Sequence, residues 1–121
     1  MKTATWVLQS ILAATFLGAG AIKLLLPVDT VAATVGGWVD DIPARVVRVV
    51  GALEIAGAIG LIVPAAAGIA PGLTVAAALG LVLLMTGAIT VHQRRGEALN
   101  VLANIVLAIL CGAVAWGRLA T

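Results

Sequence analysis

Residues 72–91 read GLTVAAALGLVLLMTGAITV, a run of 20 residues without a charged side chain. A helix of about 20 apolar residues spans the hydrocarbon core of a bilayer, so this run predicts a transmembrane helix. The whole chain has the same character, with 63% hydrophobic residues, 10% charged residues and a mean hydropathy of +1.22. A chain of 121 residues cannot hide that much apolar surface in a core of its own, so lipid must cover it.

Three more apolar runs of similar length accompany this one. The predicted spans cover residues 4–26, 44–63, 72–91 and 98–117. Pro27 ends the first span and Pro64 ends the second, because a helix interior tolerates proline badly. Since backbone in lipid must satisfy its hydrogen bonds internally, we predict an all-α integral membrane protein. Its architecture is a four-helix transmembrane bundle, with residues 1–121 as a single domain.

The stretch 28–43 is too polar to cross the membrane and too apolar to float free of it. It holds three aspartates, a glycine pair and Trp38. We expect it to lie at the membrane interface, with Asp29-Thr30 capping a short helix and Trp38 as the anchor. Trp116 and Arg118 are predicted to anchor the end of the last span in the same way.

The distribution of Lys and Arg predicts the orientation. The side with the first and third loops carries Lys23, Arg45, Arg48, Arg94 and Arg95, whereas Lys2 and Arg118 lie on the side of the termini. The positive-inside rule then puts both termini outside the cytoplasm. The difference in basic residues between the two sides is smaller if Lys23 and Arg48 lie inside the bundle, because they then do not count as loop charges.

Several functional classes are disfavoured by composition. A net charge of +2 with scattered basic residues does not suggest nucleic-acid binding. The single cysteine, Cys111, cannot form an internal disulfide. One histidine and one cysteine on different spans provide neither a zinc site nor a haem site, so we predict no metal and no cofactor of that kind.

Polar side chains inside the spans are the strongest functional signal. Each charge there costs on the order of 2.5–3.5 kcal/mol, so such groups are expected to face the bundle interior. At helical spacing, one stripe of the first span contains Thr5, Gln9, Phe16, Gly20 and Lys23, and one stripe of the fourth contains Asn100, Asn104 and Cys111. Both stripes are predicted to face inward.

One polar cluster is predicted near the odd-numbered loops. Its members are Lys23, Arg48, Glu54, His92, Glu97, Asn100 and Asn104. For Glu54, a contact with Lys23 or with an asparagine of the fourth span is favoured over a contact with Arg48. The cluster can bind a small polar or amphipathic ligand, with Glu54 or His92 as acid or base. Alternatively, its members only satisfy one another and hold the helices together.

Glycines recur on the spans and are predicted to allow close backbone approach rather than catalysis. They are Gly18, Gly20, Gly51, Gly57, Gly60, Gly80 and Gly87.

Three segments resemble the DoxX-like membrane proteins: FLGAGAIKLLLP at 16–27, RVVGALEIAGAIGLIVP at 48–64 and TGAITVH at 86–92, followed by Arg95-Gly96-Glu97 and Asn100. The likeness covers nearly the whole chain and implies a four-helix bundle. Because the likeness is to small bacterial members of the family, it also implies a bacterial cytoplasmic membrane. It marks Lys23, Arg48, Glu54 and His92 as signature positions without an established chemistry. Relatives are functionally mixed; they include a subunit associated with thiosulfate:quinone oxidation, a maturation factor for a periplasmic dehydrogenase and the receptor-assembly chaperone NACHO.

Two functions of different classes therefore remain open. In the first, the protein is a non-catalytic partner of the assembly or chaperone type, binding a membrane-protein client or a second copy of itself through the bundle surface. This function is favoured because it needs no cofactor ligands. In the second, it is a small membrane enzyme or quinone-linked redox subunit that acts on a lipophilic small molecule, with Glu54 and His92 in the site.

Overall fold

Four long helices dominate the computed structural model, which describes residues 2–70 and 72–120. They are α1 (Lys2–Leu25), α3 (Ala44–Ala67), α4 (Gly72–Arg94) and α5 (Ala98–Leu119), and a short α2 (Val28–Val35) with a 3₁₀ helix (Gly37–Asp41) connects α1 to α3. Each of the four is long and apolar enough to cross a membrane. The described residues contain no strand. The predicted class, an all-α helical membrane bundle, is confirmed.

The helix starts agree with the predicted spans to within two residues, whereas three of the four ends lie further along the chain. The prediction that Pro64 ends the second span is wrong, because α3 continues through this residue to Ala67. Proline removes one hydrogen bond of the helix, and a long helix can lose one bond near its end. The helix ends instead at Gly68, whose φ is +66°. There Gly68 N–H donates to Ala65 O and Ile69 N–H to Pro64 O, the Schellman pattern.

The long helices form a ring in which α1 packs on α3, α3 on α4, α4 on α5, and α5 on α1. Backbone approaches backbone at the α1–α3 crossing. A Cβ added to Gly20 would lie 2.6 Å from Gly51 O, and one added to Gly51 would lie 2.7 Å from Gly20 O. The two backbones therefore touch, as the sequence predicts for these glycines.

The other glycines divide into two groups. Gly57 and Gly60 face α4, where an added Cβ would collide with Leu81 or Ala77. Three glycines predicted as packing positions have no such neighbour: no described atom lies within 4 Å of a Cβ built on Gly18, Gly80 or Gly87. For these three the prediction of close backbone approach is wrong, because no atom of another helix lies against them.

The inward stripe predicted on the first span is confirmed, because all five of its residues are buried in α1. The apolar core around it draws on all four long helices. Its buried members are Leu12, Phe16, Ala58, Leu61, Ala78, Leu81, Met85, Cys111, Val114 and Ala115.

Polar contacts close the bundle at the end where the chain termini lie. Gln9 is fully buried, and its Nε2 donates to Leu61 O at 2.5 Å. Arg118 Nε donates to Gln9 Oε1 at 2.6 Å, and the guanidinium lies 4.7 Å from the centre of the Trp6 ring. Arg118 thus links α5 to α1, whereas the neighbouring Trp116 is exposed.

The segment between α1 and α3 folds back onto the opposite end of the bundle. Val31, Trp38 and Val39 pack with Val47 of α3 in a second apolar cluster. The predicted Asp29-Thr30 cap is wrong, because α2 follows Pro27 and no side chain caps it. Trp38 is only 9% exposed, and its Nε1 donates to Val35 O at 3.0 Å. It is therefore part of this cluster rather than an exposed anchor.

Candidate functional site

A cavity of about 440 Å³ lies between the four long helices, beneath the folded-back segment. It is lined by Thr15, Phe16, Ala19, Lys23, Val35, Trp38, Ile42, Val46, Val50, Glu54, Leu84, Met85, Gly87, Ala88, Val91, His92, Asn100, Ala103, Asn104 and Leu107. Five of the seven residues of the predicted polar cluster are among them. The cavity is thus the place where the polar stripes of the spans meet.

A buried ion pair forms one wall of the cavity. Lys23 Nζ of α1 donates to Glu54 Oε1 of α3 at 2.7 Å, and the two residues are 9% and 3% exposed. Lys23 and Glu54 can meet because the glycine crossing one turn away brings α1 and α3 together. The sequence favours Lys23 or an asparagine of the fourth span as the partner of Glu54, and the structure pairs it with Lys23. Charges taken out of water need such a partner, because a lone one is strongly destabilising.

Arg48 lies outside the cavity wall and has a different contact. Its Nη1 donates to Lys23 O at 2.9 Å and to Leu26 O at 2.5 Å. The Lys23 carbonyl belongs to the last turn of α1, where no intrahelical N–H is available to it, and Leu26 directly follows the helix. Arg48 therefore caps α1 and holds the backbone of Lys23 in place, although it was predicted as a member of the polar cluster itself.

A second polar group comes from the end of α4 and the start of α5. His92 Nδ1 lies 2.7 Å from Glu97 Oε1 and 3.4 Å from Asn100 Nδ2. Glu97 does not line the cavity but supports His92 from behind. The hydrogen bond with His92, followed by that with Arg95, holds the pKa of the Glu97 carboxyl below its usual range. Glu97 therefore stays an anionic acceptor for the ring.

The turn that carries Glu97 is tied to the folded-back segment. Arg95 Nη1 donates to Asp41 Oδ2 of the 3₁₀ helix, and Arg95 Nε lies 3.3 Å from Glu97 Oε2. Gly96 permits this turn, since its φ is +69°. The contact links the segment above the cavity to the carboxylate that holds His92.

Trp38 is a site residue that the sequence did not identify as one. Its ring meets the His92 ring edge-on, with 5.8 Å between the centroids, and Lys23 Nζ lies 6.0 Å from its centre. The tryptophan therefore lies between the two polar groups of the cavity. A large aromatic residue next to a glycine pair, in a segment too apolar for solvent, could have indicated that Trp38 is buried, but not which helices it covers.

The cavity changes from polar to apolar along the bundle axis. Lys23, His92 and Asn100 lie toward the folded-back segment, whereas Phe16, Met85 and Leu107 lie deeper, toward the apolar core. Two lining residues on facing helices, Thr15 of α1 and Ala103 of α5, are exposed at the bundle surface. The cavity therefore reaches the lipid-facing side between α1 and α5.

No curated protein and no solved structure matches the chain. A family model does match, and it is described as the DoxX-like family. The match runs over residues 7–114, which contain the whole wall of the cavity and most of each long helix. Since this is nearly the full chain, the multi-pass membrane protein described above belongs to the DoxX-like family.

Proposed function

We propose that the protein binds a small amphipathic molecule from the bilayer in its intrabundle cavity. The polar group of the molecule lies against Lys23, Glu54 and His92, and its apolar part extends toward Phe16 and Met85. The observation that supports this proposal is that one cavity is lined by polar side chains at one end and by apolar side chains at the other.

The size and chemistry of the cavity support the proposal. Ligand sites are typically concave, about 300–1,000 Å³ in volume, mostly apolar and equipped with a few convergent polar groups. The cavity of about 440 Å³ falls in this range. Polar groups that only held helices together would pack against each other, whereas those of Lys23, Glu54 and His92 also border open space. A lipophilic molecule can enter from lipid where Thr15 and Ala103 are exposed.

A quinone is one molecule of this kind, so the quinone-linked role predicted from the sequence is a special case of the proposal. The partner or chaperone role requires no cavity and instead uses the outer surface of the bundle. We further propose that the membrane is a bacterial cytoplasmic membrane, as the likeness to small bacterial DoxX-like proteins implied.

The test is to identify molecules that copurify with the protein from its native membrane, by extraction and mass spectrometry. Ala88→Trp fills the cavity, because Ala88 lines it and is half-buried. Ala113→Trp is the matched control, since Ala113 is exposed on α5 and does not line the cavity. We expect one amphipathic molecule to accompany the wild type and Ala113→Trp in near-stoichiometric amounts and to be lost from Ala88→Trp.

The same measurement can contradict the proposal. Equal small-molecule content in all three proteins would mean that the cavity holds no specific ligand. A membrane protein that copurifies equally with all three, without such a molecule, would instead support the partner role.

A further inference from the structure

The hydrogen-bonding state of His92 follows from its neighbours. A carboxylate only accepts, so the contact of 2.7 Å between Nδ1 and Glu97 Oε1 requires that Nδ1 carries the hydrogen. Asn100 Nδ2, at 3.4 Å, cannot donate to a nitrogen that already bears a hydrogen. In the neutral ring, the lone pair then lies on Nε2.

Nε2 is the atom of His92 that remains for a ligand. Within residues 2–70 and 72–120, no side chain or backbone group forms a hydrogen bond with it. The residue is only 6% exposed, and its ring lines the cavity. Because Nε2 is not itself enclosed and the ring lines the cavity, the atom borders open space there, and an occupant that donates a hydrogen bond would satisfy it.

The charges around the cavity limit what that occupant can be. Lys23 is the one cation among the lining residues, all of which the structure describes, and its ammonium is paired with Glu54 at 2.7 Å. Arg48 is engaged by two backbone carbonyls, and Arg95 by Asp41 and Glu97. A phosphate or carboxylate head group would have no unpaired cation to bind. A cationic head group would find Glu54 already paired with Lys23, and Glu97 with His92 and Arg95. The charges of the site thus balance among themselves, and they favour an uncharged occupant.

We propose that the cavity selects a neutral lipophilic alcohol or phenol, whose O–H donates to His92 Nε2 while Glu97 holds the imidazole in the accepting tautomer. This inference rests on the proposed function, because it requires that the cavity binds an amphipathic molecule. His92 is then the residue that contacts the ligand, and Glu97 is a positioning residue.

The test compares two probes that differ only in the donor: para-nonylphenol and its methyl ether, para-nonylanisole. Their binding to the purified protein is measured by titration and native mass spectrometry. We expect the wild type to bind the phenol roughly fivefold more tightly than the ether, the ratio that one neutral hydrogen bond gives. His92→Phe keeps an aromatic ring beside Trp38 but lacks Nε2, so it should bind both probes with the affinity that the wild type has for the ether.

Glu97 is tested by variants that separate a structural role from control of the tautomer. Glu97→Gln keeps an oxygen that accepts from Nδ1, so the preference for the phenol should survive. Glu97→Leu removes the acceptor, and Asn100 can then donate to Nδ1, which moves the hydrogen to Nε2. The preference should then disappear while the ether still binds. Gln93→Ala, at an exposed position beside His92, is the control that should retain the preference.

The outcomes separate this inference from the function on which it rests. Equal affinity of the wild type for the two probes, with both lost in Ala88→Trp, would overturn the selection by His92 and leave the binding cavity in place. A preference that persists in His92→Phe would overturn it as well. If neither probe binds, or if Ala88→Trp changes neither, both the inference and the proposed function are wrong.

Discussion

Glu54 lies in the middle of a span because its carboxylate has a partner and a defined position. Its Oε1 accepts from Lys23 Nζ at 2.7 Å, and Arg48 fixes the backbone from which that lysine projects. An unpaired carboxylate in lipid would have to take up a proton or draw water into the bilayer. A polar site at this depth therefore requires the ion pair, because each of the two charges needs the other, whether or not either residue also contacts a ligand.

Removing one member of this pair should cost more than removing both. Glu54→Leu leaves a buried ammonium and Lys23→Met leaves a buried carboxylate, so each should lower the free energy of unfolding by roughly 3–5 kcal/mol. The double variant should lose much less than the sum, because no unpaired charge remains. Unfolding in mixed micelles at increasing SDS measures this, with Glu54→Gln, which keeps an acceptor for Lys23, as the milder comparison. Additive losses in the double variant would show that the two side chains are not coupled.

Sequence reasoning reduces the favoured partners of Glu54 to Lys23 or an asparagine of the fourth span, whereas it does not give the position of Trp38. An unpaired charge in a span is costly, and few polar residues lie at a depth where they can meet Glu54. A physical argument from the sequence can therefore identify its few candidate partners. Trp38 lies on a segment of mixed polarity. The spacing of polar and apolar residues in this segment does not specify the part of the bundle on which the segment packs. For the same reason the capping role of Arg48 is visible only after α1 and α3 are placed side by side.

At the scale of the helix, the apolar runs of the sequence indicate where a span begins, whereas the local backbone conformation determines where it ends. The starts of α3, α4 and α5 coincide with the predicted spans, because the first apolar residue after a polar or proline-containing stretch is easy to locate. Two ends lie further along because Gly68 and Gly96, each with positive φ, form the actual stop. Proline at 64 is a weaker stop than a glycine that can adopt the left-handed conformation.

The α1–α3 crossing should be intolerant of even one methyl group. In Gly51→Ala the new Cβ would lie 2.7 Å from Gly20 O and 2.9 Å from Leu24 N, and these backbone atoms can move only with the whole helix. Overpacking of this kind typically costs about 1–3 kcal/mol. The midpoint of thermal unfolding in detergent should therefore fall for Gly51→Ala. It should be unchanged or slightly raised for Gly18→Ala on α1, where no described atom lies within 4 Å.

An equal loss in the two alanine variants would contradict this account of the crossing. It would mean that the substitutions act through helix propensity or through the unfolded chain, and that α1 and α3 can separate without cost. The ion pair between Lys23 and Glu54 would then need another explanation, since it depends on this close approach.

At the scale of the whole molecule, the bundle is closed at one end and hollow at the other. The contacts among Gln9, Leu61 and Arg118 hold the helices together where the termini lie, and the cavity occupies the end beneath the folded-back segment. This asymmetry gives the orientation in the membrane a functional meaning. The orientation decides whether the polar end of the cavity lies toward the cytoplasm or away from it.

The structure changes the charge count on which the orientation depends. Lys23 is buried in an ion pair and Arg48 is bound to backbone carbonyls, so neither is a loop charge. The side of the folded-back segment keeps Arg45, Arg94 and Arg95, and the side of the termini has Lys2 and Arg118. The excess of basic residues on the side of the folded-back segment is smaller than the sequence count but remains. The positive-inside rule therefore still predicts that the termini face away from the cytoplasm and that the polar end of the cavity faces it.

Reporter fusions can decide the orientation. A phosphatase that folds only after export, fused after Thr121, should be active, and green fluorescent protein at the same position should stay dark. Fusions placed after Gly96, in the turn between α4 and α5, should give the opposite result and serve as the internal control. Fluorescence at Thr121 with phosphatase activity at Gly96 would reverse the assignment. The polar end of the cavity, and with it His92 and the Lys23–Glu54 pair, would then face away from the cytoplasm, and its ligand would be sought on that side.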